Sequence, residues 1–256
     1  MAGLRRKQQA FKQAISYLCS MQQLYAYLSQ YLTPARQALF ERVLNYRTRH
    51  LTVAVEDLYQ ERNASAVLRS CECFGVQDVH IIENYNKYRI SSGIAKGAEE
   101  WLSLHIYDDQ PNNSLACIRR LRQQGYRIIA TTPHTHDCLI SEYDISQKSA
   151  FFFGGEKPGL SQTVMQQADG FVKIPMVGVT ESFNISVAAA IVLYELTRRL
   201  HQRQDIPWQL TGEERLQLKV EWALRSIRSG KKLLQRYLQE KGLPQSGPWD
   251  MGSFTK

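Results

Sequence analysis

Three short clusters in this 256-residue chain carry side chains suited to chemistry. The first runs Asn63-Ala64-Ser65-Ala66-Val67-Leu68-Arg69. Asn63 stands where a helix N-cap belongs, and Arg69 follows six residues on, about 9 Å along the axis of a helix. Arg69 interrupts an otherwise apolar face of small residues. A guanidinium there needs an anion or a carbonyl, because an unpaired buried charge is costly. Taken alone, a structural cap and a salt-bridged arginine account for this cluster better than catalysis does. The second cluster, Phe151-Phe152-Phe153-Gly154-Gly155-Glu156-Lys157-Pro158-Gly159-Leu160-Ser161, reads as a buried strand ending in two glycines. Glycines let a ligand approach the backbone, and ligands of open α/β sheets bind beyond the carboxyl ends of strands. Glu156 is placed there to pair with a cation, although a plain turn with a solvated Glu-Lys pair fits the same residues.

The third cluster spans Ile174-Pro175-Met176-Val177-Gly178-Val179-Thr180-Glu181-Ser182-Phe183-Asn184 and leads into the Ala-rich run Ile185 to Ala190. Pro175 ends a strand ladder because it has no N–H to donate. Ser182 and Asn184 gather at the mouth of a helix, where free N–H groups can hold a small ligand. An ordinary cap explains one of those polar residues, but not both together with Pro175 and Gly178. His134-x-His136-x-Cys138 has no structural-zinc spacing and no partner pair elsewhere, so no metal site is expected. A Walker-type Gly-Lys-Ser/Thr ending is absent, and so is a Gly-x-Gly-x-x-Gly after a strand. Nucleotide-dependent and class-I methyltransferase sites are disfavoured accordingly. The four tryptophans and the tyrosines read as packing residues rather than stacking platforms.

The elements that must position these clusters follow from periodicity. Leu51 to Val55, Val79 to Ile82, Leu102 to Tyr107, Tyr126 to Thr131, Phe151 to Phe153 and Phe171 to Ile174 read as strands. Helices are expected over Asn63 to Phe74, Ser114 to Gln124, Ser161 to Ala168 and Ile185 to about Gln202. Gly75 and Gly125 close the first two. Residues 84–100 read as loop. Strands alternating with helices imply an α/β fold with a mostly parallel sheet covered on both faces. The flanks read as helical: Thr33-Pro34 is an N-cap followed by proline, and Thr211-x-x-Glu214 has capping-box spacing. The expected organisation is a basic helical extension over 1–50, a core over 51–203, and a basic helical extension over 204–256.

Charge supports that division. The net charge is +7 over residues 1–50, −5 over 51–195 and +6 over 196–256, together the +8 of the whole chain. Basic flanks suit a phosphate backbone, although helical surfaces are often Lys/Arg-rich for solubility alone. With 43% hydrophobic residues and a mean hydropathy of −0.38, a cytoplasmic globular protein without a membrane segment is expected. Five scattered cysteines imply no disulfide framework.

Together the three clusters, in this order and spacing, resemble the motifs of the SpoU (TrmH) branch of the SPOUT RNA methyltransferases over roughly residues 51–200. Lys241-Gly242-Leu243-Pro244 also resembles the C-terminal extension of bacterial TrmH-type tRNA methyltransferases. Phe183 departs from the leucine usual in the family, and the long N-terminal helical segment is a second departure. The resemblance implies a SPOUT core with a C-terminal deep trefoil knot, a homodimer, and S-adenosylmethionine as methyl donor. It implies a cofactor pocket lined by Thr131, Gly154, Glu156, Ile174, Met176 and Phe183. Arg69 matches the family's catalytic arginine, with Asn63, Glu156, Ser182 and Asn184 around it. The implied reaction is methylation of a ribose 2′-hydroxyl in RNA, with the D-loop guanosine at tRNA position eighteen as the expected target. Alternatives are an rRNA ribose methyltransferase of the same family and a non-catalytic RNA-binding scaffold.

Overall fold

The computed structural model describes residues 19–88, 95, 97–133, 138–155, 157 and 159–243. Glu156, His134, His136 and residues 1–18 lie outside the described residues. The chain forms two compact units, residues 46–209 and, separately, residues 1–45 with 210–256.

The larger unit is built on seven strands: β1 (Leu51–Glu56), β2 (Asp78–Ile82), β3 (Ser103–Tyr107), β4 (Arg127–Thr131), β5 (Cys138–Leu139), β6 (Ser149–Gly154) and β7 (Gly170–Lys173). Their order across the sheet is β3-β2-β1-β6-β4-β7-β5, and every pairing is parallel. Parallel sheets are covered on both faces, which is why β1 and β2 are buried along their whole length. The sheet period of two separates two cores. Val53, Val55, Val79, Ile81, Phe151 and Phe153 face one side, where they meet Val67 and Leu68 of a helix following β1 and Leu193 and Leu196 of a later one. Ala54, Ile82, Ile128, Ala150 and Phe152 face the other and meet Cys117, Ile118 and Leu121.

The helix following β1 spans Glu61–Cys73 (numbered α3, after two helices of the smaller unit), and the later one is α6 (Ile185–Leu200). On the opposite face lie α4 (Asn113–Gln123) and α5 (Gln162–Gln167). Gly75, at φ +78, lies just beyond α3, where an added Cβ would strike the Tyr46 carbonyl. Two expectations need correction. The N-cap of α3 is Gln60, so Asn63 lies inside the first turn rather than at the cap. Arg69 does not sit on the buried face; that face is Ala64, Ser65, Val67, Leu68 and Cys71, and Arg69 is exposed. Position 69 falls off the 64-67-68-71 stripe by helical phase, so no buried anion is required. The two-residue edge strand β5 and a 3₁₀ turn at Ala98–Trp101 were not legible, being too short to carry a period.

In the smaller unit the described helices are α1 (19–29), α2 (Pro34–Leu44), α7 (Gly212–Ser226) and α8 (Gly230–Glu240). Helices from both ends of the chain share one core: Phe40 meets Trp222 edge-on at 5.4 Å, and Tyr27 meets Tyr237 at 5.2 Å. Glu41 pairs with Arg215 and Lys219. The Thr33 cap and the Thr211–Glu214 capping box form as their spacing requires. Among the described residues no helix is long and apolar enough to cross a membrane, and no group of three or more His, Cys, Asp or Glu could hold a metal ion.

Candidate active site

A cavity of about 320 Å³ opens beyond the carboxyl ends of β4, β6 and β7. Thr131, Thr132 and Pro133 line it from β4, Phe153, Gly154 and Gly155 from β6, and Val172, Lys173 and Ile174 from β7. Met176, Ser182 and Phe183 close it, and Ile185, Ala188 and Val192 of α6 form its floor. In a wholly parallel sheet all strand ends of one kind share an edge, so three successive turns converge there. Five of the six expected cofactor residues, Thr131, Gly154, Ile174, Met176 and Phe183, line this cavity. The Thr131 hydroxyl is already engaged, donating to the Phe152 carbonyl at 2.6 Å.

The turn after β6 is pinned from beneath. A Cβ on Gly154 would collide with the backbone of Gly159 and Leu160, so only glycine lets the turn fold back on itself. Glu56, 1% exposed at the end of β1, holds the far end of that turn. Its carboxylate accepts from the Ser161 amide and hydroxyl, each at 2.7 Å, and from the Ser114 hydroxyl. Buried carboxylates survive when hydrogen bonds replace lost water, and here they tie α4 and the cavity wall to the central strand. Glu56 was missed in the sequence, where its signal was an acid closing an otherwise uncharged, β-rich run.

Residues from distant clusters meet beside the cavity. Asn184 caps α6, its Oδ1 accepting from the Ser186 amide at 2.9 Å. Its Nδ2 donates to Asn63 Oδ1 at 3.1 Å. Ser182 is at the cavity itself. Asn63, Asn184 and Arg69 are not among the cavity-lining residues; Arg69 is exposed on α3, six residues beyond Asn63.

A sequence model of the SpoU rRNA Methylase family matches residues 50–194, more than half of the chain. The chain belongs to this family. A SpoU relative from Borreliella burgdorferi, a tRNA (guanosine(18)-2′-O)-methyltransferase, is 40% identical over 195 residues, 76% of this chain and 87% of its own length. The enzyme of the same name from Escherichia coli K12 is 29% identical over 213 residues, 83% of this chain and 90% of that one. Among solved SpoU structures, the Aquifex aeolicus TrmH/SpoU tRNA modifying enzyme superimposes with a TM-score of 0.66 at 28% identity, covering 75% of this chain and 97% of that one. The matched segment of this SpoU member contains all three clusters, and the cavity lies wholly within it.

Proposed function

We propose that this protein methylates the ribose 2′-hydroxyl of the guanosine at position eighteen of tRNA, using S-adenosylmethionine. The observation that carries this reading is the 40% identity, over three quarters of the chain, to a relative named for that reaction. The cavity fits the donor. Its size falls in the range of about 300–1,000 Å³ usual for small-molecule sites. Its lining is mostly apolar residues and glycines, with Thr131, Thr132, Lys173 and Ser182 as the polar ones. That mixture suits a purine and a thioether chain better than a polyphosphate. When bound, S-adenosylmethionine supplies an electrophilic methyl group to the ribose oxygen.

The protein's own groups must orient the ribose and stabilise charge on its 2′-oxygen as the proton leaves. Ser182, which lines the cavity, and Asn63 and Asn184, held against each other next to it in the fold, are assigned to that orientation. Glu156, outside the described residues, is assigned to the same task on the resemblance of its motif alone. Arg69 is assigned to an RNA phosphate and to the developing alkoxide. It is not assigned as a base, because a guanidinium keeps its proton in proteins.

The active form is read as a homodimer. Val177, Val179, Phe183, Val187 and Tyr194 are all exposed along one stretch of the third cluster and α6, more apolar surface than a lone helix face leaves in water. α3 and α6 pack side by side, so a second copy seated on that stretch lies next to the exposed Arg69. The trefoil knot, a cytoplasmic location and tRNA phosphate contacts from the basic terminal helices belong to the same reading.

The test is methyl transfer from labelled S-adenosylmethionine to unmodified tRNA and, separately, to rRNA, with nucleoside analysis. 2′-O-methylguanosine at position eighteen in tRNA alone is the expected product. Product only in rRNA overturns the substrate. No transfer and no donor binding overturn the enzyme reading.

A further inference from the structure

We infer that Tyr59 and Tyr85 form a stacking platform for an unpaired RNA base beside the nucleotide being methylated. The inference rests on the proposed RNA reaction and adds a recognition surface to it.

The geometry begins at Asp57, which follows β1 with φ +50, the only non-glycine residue with a positive φ among the described residues. An L-residue keeps that conformation only where its surroundings over-determine it. Here the Asp57 carboxylate collects the turn after β2. Oδ1 accepts from the amides of Asn84 and Tyr85, each at 2.8 Å, and of Asn86 at 3.2 Å. Asn86 Nδ2 returns a bond to the Asp57 carbonyl at 3.1 Å. Asn84 is held from its other side by the Ser114 hydroxyl at 2.8 Å and the Asn113 amide at 3.0 Å. The backbone of Tyr85 is therefore clamped between the ends of β1 and β2.

Its ring is nonetheless 91% exposed, and that of Tyr59, two residues beyond Asp57, is 84% exposed. These two were expected to pack, as Tyr107, Tyr126 and Tyr143 do. A large ring held in water on a fixed backbone contributes nothing to the core, but it is pre-organised for a ligand. Both rings stand at the carboxyl ends of strands, on the sheet edge that holds the cavity, and β1 neighbours β6. Arg62 and Lys87, three and two residues beyond the rings in sequence, are exposed, as is Glu61, while Asp57 and Glu83 are half-buried and engaged by the turn. Aromatic faces flanked by cations suit a nucleotide: the ring takes the base and the cation the phosphate. A protein partner would instead call for a continuous apolar patch; among the described residues of 56–88, Tyr59 and Tyr85 are the only large apolar side chains that are exposed.

The experiment uses the full chain with Tyr59→Ala, Tyr85→Ala, the matching phenylalanine variants and Lys87→Ala. tRNA binding and methyl transfer are measured across a salt series. Each alanine variant is expected to weaken tRNA binding and raise the KM for tRNA about tenfold. kcat and donor affinity should hold, and phenylalanine should restore binding. The alanine variants should leave the slope of affinity against salt unchanged, since no cation is lost, whereas Lys87→Ala lowers it by about one. Alanine variants that bind tRNA like the wild type overturn the platform, as do phenylalanine variants as weak as alanine. Alanine variants that dissociate the native assembly in light scattering also overturn it, by assigning the rings to a second copy. If the wild type transfers no methyl group, the proposed reaction fails, and the binding arm still decides the platform.

Discussion

Asn184 Nδ2 donates to Asn63 Oδ1 at 3.1 Å, joining residues 121 positions apart. One is the cap of α6 and the other lies in the first turn of α3. The bond fixes the start of both helices relative to each other, beside a cavity that neither helix could form alone. It also gives the two asparagines separable jobs. Asn184 caps a helix as well as holding its partner, whereas Asn63, in the third position of its helix, meets the side chain of the cap residue Gln60 at 3.5 Å.

Asn184→Ala should therefore cost about 1 kcal/mol of stability through the lost cap. Asn63→Ala should cost less than half of that. Both should lower methyl transfer, and the double variant should be no worse than the more damaging single one, because they act through one contact. Thermal denaturation and single-turnover transfer rates check this. Independent, additive losses would show that the contact is not functional.

Gly154 and Gly155 are adjacent but not equivalent. A methyl group on Gly154 meets backbone that cannot move aside, while one on Gly155 has the Asp57 carbonyl at 3.5 Å as its nearest neighbour. Gly154→Ala should abolish or weaken donor binding more than tenfold and lower the melting temperature. Gly155→Ala should leave the melting temperature unchanged and weaken donor binding less than Gly154→Ala does. Titration calorimetry with S-adenosylmethionine distinguishes the two.

Arg69 is exposed, so its replacement should leave the fold intact. Arg69→Lys keeps the charge and loses the planar fork that grips phosphate through two bonds. Turnover is expected to fall at least a hundredfold, with donor affinity unchanged. Near-normal turnover in Arg69→Lys would refute the need for that fork.

His80 gives the fold a pH dependence away from the active site. It is buried on β2, its ring stacked on His105 of β3 at 4.7 Å and its Nδ1 bonded to the Tyr107 hydroxyl at 3.0 Å. Burial first, and then the neighbouring His105, pull its pKa from 6.5 down to about 3. The unfolded chain binds this proton below about pH 6.5 and the folded chain does not. The stability that follows is complete above that pH and declines as pH falls towards 3. At pH 5 the loss should be about 2 kcal/mol, at about 1.4 kcal/mol per unit. Against burial, which opposes it, the His105 hydrogen bond and the Arg49 charge hold Asp78 low, so its share is lost as pH falls through and below the ordinary carboxylate range. Urea unfolding between pH 7 and 5 measures the slope, and His80→Gln should reduce it, leaving the share of His50 and His201, whose pKa values burial also lowers.

Much of this protein was legible from its residues. Runs such as Leu51 to Val55 and Phe151 to Phe153 are too apolar for a half-exposed strand, so a doubly covered parallel sheet follows from them. Caps such as Thr33 and Thr211 act within four residues, and their structure is local enough to read directly. The residues alone marked two turns by their breakers, Gly154 after β6 and Pro175 with Gly178 after β7; the cofactor residues were named from the resemblance of these motifs to a family. What tertiary structure alone decided are relations across distance. Helical phase put Arg69 in solvent and Asn63 inside a turn. Parallel register brought β4, β6 and β7 to one edge, a fact held in pairings such as Ile129 with Phe151 and with Gly170. Glu56 reaches Ser161, 105 positions on, and Asp57 gathers the turn after β2, because closing such loops is favourable only once the sheet has formed. Short-range physics wrote the elements into the sequence; the site exists where the sheet's topology makes their ends meet.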